Sequence, residues 1–270
     1  MMNNNIPIII GETNLSYAWA DLLLRVLKGS GKEVHTVLLS LSDFQGSEAL
    51  EDESIREALD LCLSSINQQT VHTVANTIFP EKLWRLSGDN REKFFEMYIK
   101  NFPRIKALCQ SKNNRGTYFK RLIDFGYDTL HNNQLEHIIS AYNDNPKFRR
   151  SMFQASIFDP ARDHKRSAQI GFPCLQHLQF LPNNQNKTLT VNAFYATQQI
   201  LEKAYGNYLG ICRLSHFMAH EMNLLLDRVN FFIGVAKLDK IPKSHKSLVN
   251  LKEVVQEVRN SSIAAQISGE

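Results

Sequence analysis

The strongest periodic signal in the chain joins Leu15, Ala18, Trp19, Leu22, Leu23, Val26 and Leu27. Their spacing of three and four places them on one face of an α-helix. Thr13 or Asn14 offers a cap at its start, and Gly29 ends it. A β-branched run over residues 6–10 predicts a strand before this helix, and residues 33–41 predict another after it. Residues 54–66 read as a second amphipathic helix. Residues 91–102 predict a helix that buries Phe94, Phe95, Tyr98 and Ile99 and stops near Pro103, followed by a loop at 113–116. In 134–142, Leu135, Ile138, Ile139 and Tyr142 form a clean stripe that ends at Asn145-Pro146. Residues 150–158 look extended. Two strands, 172–181 and 188–197, flank the polar turn 182–187 and predict a hairpin. A long apolar helix follows from Ile200 to about Leu225, then a strand over 229–238 and a helix over 244–257, with a tail that frays over 258–270.

The pattern contains no internal repeat, low-complexity linker or domain boundary. The expectation is one α+β domain spanning 1–270, a mixed sheet packed with helices. With 270 residues, 43% of them hydrophobic and 21% charged, the chain is long enough to bury a sizeable core. The net charge of +4 is mild and no Lys/Arg block reaches five, so no nucleic-acid polymer is expected as a partner. Cys62, Cys109, Cys174 and Cys212 are widely spaced and form no CxxC. A disulfide framework or zinc ribbon is therefore not expected, and a reducing cytoplasm is the simple reading. The first five residues lack the features of a signal peptide, and no apolar run approaches the roughly 18 residues of a membrane span.

Candidate chemistry centres on Pro173-Cys174, at the mouth of an apolar strand-like run. Arg149 and Arg150 stand side by side upstream. Downstream, Tyr195-Ala196-Thr197-Gln198-Gln199 leads to Gly206-Asn207. A thiol, an arginine pair and an amide are parts for attacking an anionic, hydrogen-bonding substrate. Taken singly, each has an ordinary reading: a cysteine among apolar residues is usually a small core hydrophobe, and an arginine pair is usually a solvated turn. His177 is out of phase with Cys174 on an ideal strand and is expected to face away from it. His216 and His220, with Glu221 adjacent, lie four apart on a predicted helix. Their order is not that of the zinc-protease motif, and a helix surface or interface is the reading, with no metal.

In order and approximate spacing, the segments over about residues 13–238 resemble the thymidylate synthase and deoxycytidylate hydroxymethylase family. They are Glu81-Lys82-Leu83-Trp84 with Gly88-Asp89-Asn90, Gly116-Thr117-Tyr118-Phe119-Lys120-Arg121, Asn133-Gln134-Leu135, Asn145-Pro146-Lys147-Phe148-Arg149-Arg150, Pro173 to Phe180, and Gly206-Asn207. The resemblance implies a thymidylate synthase-like fold and Cys174 as nucleophile toward carbon 6 of a pyrimidine. It implies Glu81 as organiser of water and protons, and Arg149, Arg150, Gln179, Thr197, Gln199 and Asn207 at the substrate. It implies Trp84 at a 5,10-methylenetetrahydrofolate cofactor. A homodimer is implied as well, with the arginines contributed across its interface.

The departures from the family pattern matter equally. Its phosphate arginine falls on Ala196, its serine on Thr197, its aspartate on Gln199, and the histidine after its cysteine on Leu175. Its sugar-binding segment falls near 234–239 without His or Tyr, and no counterpart is expected for its C-terminal portion that closes over folate. One guanidinium–phosphate contact is worth about 1.5–3 kcal/mol, so ordinary deoxyuridylate is not the expected preferred substrate. The expectation is a divergent one-carbon transferase, methyl or hydroxymethyl, acting on a pyrimidine nucleotide or modified nucleoside. The alternatives are a non-catalytic nucleotide-binding or regulatory module on the same fold, and a thiol-dependent enzyme acting on a non-nucleotide ring.

Overall fold

In the computed structural model, described over residues 6–44, 49–88, 90–113, 115–126, 132–164, 172–238 and 241–268, the chain is built on a mixed six-stranded sheet. The strands are β1 (Ile8–Glu12), β2 (Glu33–Ser42), β3 (Gln154–Ser156), β4 (Leu175–Asn183), β5 (Thr188–Gln199) and β6 (Leu225–Lys237), in the order β1-β2-β6-β5-β4-β3. β1 and β2 are parallel, as are β5 and β6; the other neighbours are antiparallel. The hairpin between β4 and β5 forms as expected.

Helix α1 (Leu15–Lys28) buries the predicted stripe from Leu15 to Val26 against β1 and β2. Of the two candidate caps, Asn14 accepts from the Ser16 and Tyr17 backbone N–H groups, which satisfies donors that a helix start leaves free. The remaining helices are α2 (Glu53–Ser65), α3 (Val71–Ala75), α4 (Glu81–Ser87), α5 (Arg91–Leu108), α6 (Gln110–Asn113), α7 (Tyr118–Ile123), α8 (Gln134–Asp144), α9 (Pro160–Asp163), α10 (Tyr205–Glu221) and α11 (Lys246–Ser268). α10 packs on β5 and β6, and the buried apolar residues form one continuous cluster.

Several boundaries differ from expectation. α5 runs through Pro103 to Leu108. A proline leaves the carbonyl four residues back without its helical donor; here that residue is Ile99, 38% exposed, so water can take the bond. The expected helix from Ile200 divides into a π-turn, Ile200–Ala204, and α10, and β6 already begins at Leu225. The stretch 150–158 holds a 3-10 turn, Arg150–Met152, before the short β3. The loop expected at 113–116 is helical at its start. α11 continues past Glu257 to Ser268. The turn residues Asp89 and Asn114 lie outside the described residues.

The sheet is kinked at one level across its central strands. On β5 the most deeply buried positions are Leu189, Val191, Ala193 and Tyr195, then Gln198, with Asn192 only just buried; on β6 they are Val229, Phe231 and Ile233, then Ala236. The inward face therefore changes from odd to even residues on both strands. On β4 the register is irregular between Leu175 and His177. On β2, Thr36 takes a φ of 54°, unusual for a β-branched residue. Gly234 sits at this level, and a Cβ there would lie 2.7 Å from the Ala196 carbonyl oxygen. Bulges and kinks re-aim side chains; this one delimits the site.

Candidate functional site

Just beyond the kink, a cavity of about 720 Å³ opens between the ends of β4 and β5 and helices α3, α4, α5, α7 and α10. Cys174 lies in its wall, directly before β4, and its backbone carbonyl accepts from the Ala196 N–H at 3.1 Å. That bond holds the thiol beside Thr197, whose Oγ1 is 3.6 Å from Sγ. Gln198 and Gln199 at the end of β5, and Asn207 in the first turn of α10, line the same cavity. So four of the residues expected at one site meet or border a single space: Cys174, Thr197, Gln199 and Asn207.

Tyr118, in the first turn of α7, also lines the cavity. The Leu175 backbone N–H donates to its hydroxyl at 3.4 Å. Burial pushes its phenol well above the ordinary value, and the neighbouring Cys174 adds to the rise. It remains a protonated hydroxyl at neutral pH, next to the thiol. The Tyr195 hydroxyl, behind the same wall, is buried without a partner among the described residues.

The floor is pinned by Arg121. Its Nη1 and Nη2 donate to the two carboxylate oxygens of Asp163 at 2.7 and 2.8 Å, Nη1 donates to the Ile157 carbonyl, and Nε to that of Arg115. Burial acts to raise Asp163, but the Arg121 guanidinium and the Asp159 N–H outweigh it and hold the carboxyl below its usual range. Among the described residues lining the cavity there is no aspartate or glutamate, whereas Lys82, Lys203 and Arg121 are present. The chemistry of the wall thus suits an anion or a polar ring rather than a cation. Its outer part is apolar: Leu83, Leu86, Ile105 and Leu108, of which Leu108 is 86% exposed.

The other expected residues lie elsewhere. Glu81 does not line the cavity. Its Oε1 accepts from Arg85 Nη2 at 2.7 Å, and its Oε2 is 3.1 Å from Arg213 Nε, within ion-pair distance but out of line for a hydrogen bond. Trp84 is half-buried in an aromatic cluster with Phe94 and Phe217, while Leu83 and Leu86 on the same helix face the cavity. Gln179 lies on the opposite sheet face, where its Oε1 accepts from Asn192 Nδ2 and the Asn192 Oδ1 accepts from Asn230 Nδ2. Arg149 and Arg150 are exposed, and Arg150 borders a separate shallow pocket with Lys147 and Asn184. His177 bonds Gln154 across β3 and β4, away from the thiol. Near His216 and His220, as elsewhere among the described residues, no group of three or more His, Cys, Asp or Glu side chains is gathered as for a metal ion.

Sequence reasoning did not single out Tyr118, Lys82 or Lys203. Tyr118 and Lys82 stand inside segments that carried the family resemblance, which was their signal; Gln198 stands in the Tyr195-to-Gln199 block that the sequence already marked as candidate chemistry. Neither a protein-family model nor a curated protein sequence matches the chain. No helix among the described residues is long and apolar enough to cross a membrane.

Proposed function

We propose that the chain is a divergent thymidylate synthase-like transferase, carrying a one-carbon unit, methyl or hydroxymethyl, to carbon 5 of a pyrimidine nucleotide or modified nucleoside. The observation that carries this reading is the placement of Cys174 in a cavity wall beside Thr197, Gln199 and Asn207. The Cys174 thiolate adds to carbon 6, forming an S–C6 bond and moving the C5–C6 π pair onto carbon 5 and the adjoining carbonyl. Carbon 5 then acts as nucleophile. Loss of its proton and cleavage of S–C6 restore the ring. The Thr197 hydroxyl and the Tyr118 phenol stand ready to donate toward sulfur or ring. The Asn207 amide can donate and accept at the pyrimidine edge.

A reduced folate, when bound, would supply a methylene unit, with water adding to give the hydroxymethyl product or a hydride from the folate itself, oxidised to dihydrofolate, giving the methyl product. The apolar outer wall fits a flat ring, and Lys82 and Lys203 fit carboxylates. Leu83, Leu86, Ile105 and Leu108 would hold such a group and keep water from the thiol.

The homodimer belongs to the same reading. The sheet face bearing Gln179, Asn192 and Asn230 also presents Ile9, 68% exposed, and Phe232 stacked on Phe194 at 4.9 Å. A second copy of the chain over this face would cover it.

One observation favours a non-catalytic nucleotide-binding module instead: Glu81 is held by two arginines and stands off the cavity. The experiment is a thermal-shift screen of wild type and Cys174→Ala against pyrimidine nucleosides, nucleotides and reduced folate, with intact-mass analysis. A ligand that binds only the native state raises apparent stability by mass action. The reading expects a pyrimidine to stabilise both proteins and a folate-dependent adduct on Cys174 in wild type alone. Equal stabilisation without adduct supports the binding module; no shift with any pyrimidine refutes both.

A further inference from the structure

We infer that Gln198 is a specificity-determining residue of this cavity, donating a hydrogen bond to an acceptor atom, a ring carbonyl, on the ligand. The inference rests on the reading of the cavity as a pyrimidine site. Gln198 is 1% exposed and lines the cavity at the end of β5. A primary amide carries an acceptor oxygen and a donor nitrogen. Its oxygen is already committed: the Tyr208 phenol donates to Oε1 at 2.7 Å. Tyr208 is fully buried on α10 against Phe231, and burial keeps its phenol protonated and thus a donor. The contact fixes which way the amide points. Its Nε2 is buried and has no partner among the described residues.

Buried amide donors nearly always find acceptors, and the exceptions call for an explanation. The kink supplies one. Without it, continued alternation along β5 would place residue 198 on the face of Asn192 and away from the helices. The switch in parity turns Gln198 inward, onto the wall that also carries Gln199 and Asn207. A donor fixed from behind by a tyrosine, in a wall with no carboxylate, selects for an oxygen or unprotonated nitrogen on the ligand and against a ring N–H or amino group at that point. Tyr208 is the positioning residue for it.

The test compares three probes, uridine 5′-monophosphate and its two analogues lacking one or the other ring carbonyl, on three full-length proteins by calorimetry. The proteins are wild type, Tyr208→Phe, which keeps the donor, and Tyr208→Phe/Gln198→Met, which removes donor and partner together and leaves no orphan hydroxyl. Ligand discrimination is read within each protein, so a general loss of stability does not mimic the effect. The expected result is that wild type binds one analogue roughly 5–150-fold more weakly than uridine 5′-monophosphate, the range for leaving one buried donor unmet, and that Tyr208→Phe, whose amide is no longer held in one orientation, discriminates less than wild type. The double variant binds that pair within about twofold. Undiminished discrimination in the double variant overturns the role of Gln198 while leaving the pyrimidine reading intact. Absence of binding by every probe to wild type overturns both.

Discussion

Asp163→Ala tests how firmly the cavity floor depends on one buried ion pair. Asp163 is fully buried and Arg121 is 4% exposed, and the pair is joined by two nearly parallel hydrogen bonds at 2.7 and 2.8 Å. Removing the carboxylate leaves a guanidinium in the interior with two backbone carbonyls and no counter-charge. Breaking a buried pair from one side costs about 3–5 kcal/mol. For a chain of this size roughly 2–4 °C of melting temperature accompanies each kcal/mol, so the expected fall is roughly 6–20 °C. Calorimetry at neutral pH measures it. The double variant Arg121→Met/Asp163→Ala should lose less than Asp163→Ala alone, because no charge is stranded. A shift of less than about 2 °C in Asp163→Ala would falsify the argument, since it would mean that the guanidinium is hydrated or re-paired.

Gly234→Ala places a Cβ 2.7 Å from the Ala196 carbonyl oxygen; we expect about 1–3 kcal/mol of destabilisation in chemical denaturation and weakened ligand binding, because Ala196 also bonds the Cys174 carbonyl. Acid should act through Asp163 and Glu136. Arg91 holds Glu136 low through its hydrogen bonds, and Arg121 holds Asp163 low against the opposing effect of burial. Both folded pKa values are depressed, so their stabilisation is full above the unfolded carboxylate pKa of about 4 and is lost as pH falls below it; unfolding followed between pH 6 and 2 should show the drop, and Asp163→Asn should reduce it. Burial pushes the Cys62 thiol up to about 11 and the Cys212 thiol higher still. Timed alkylation with peptide mapping should therefore label Cys174 well before either, and equal labelling of all three would refute the placement of Cys174 in an open wall.

The local elements were legible where one physical rule acts alone. The α1 stripe, the Asn14 cap, the α8 stripe and the β4–β5 hairpin follow from periodicity and turn chemistry within a few residues. The path through Pro103 was not, because it depends on exposure of the Ile99 carbonyl rather than on the proline. The kink was not, because Thr36 has no reason of its own to adopt a positive φ; the conformation is imposed by neighbouring strands. In the sequence Gln198 stands with Gln199 as one of two polar amides before the apolar helix, and nothing there shows that the kink turns it inward. At the site, proximity in sequence carried Thr197 and Gln199 to Cys174, since adjacent strands of a hairpin cannot be far apart. It could not decide which flank of a helix faces inward. Glu81 and Trp84 share α4 with Lys82, Leu83 and Leu86, yet those three line the cavity and Glu81 and Trp84 do not.

The contact between α3 and α10 divides the cavity mechanically. A Cβ at Gly206 would lie 2.6 Å from Val74 Cβ and 2.7 Å from the Val71 carbonyl oxygen, and one at Gly210 would lie 2.8 Å from the Ala75 carbonyl oxygen. Two backbones in direct apposition have no side-chain rotamers between them to absorb a displacement, so Asn207 and the α3 wall move as one body. Across the cavity, Leu86 and Leu108 are largely exposed and carry few neighbours to resist them. The space therefore has a stiff jaw and a compliant one. A ligand larger or smaller than the cavity would be accommodated by α4 and α5, while Asn207 would keep its position.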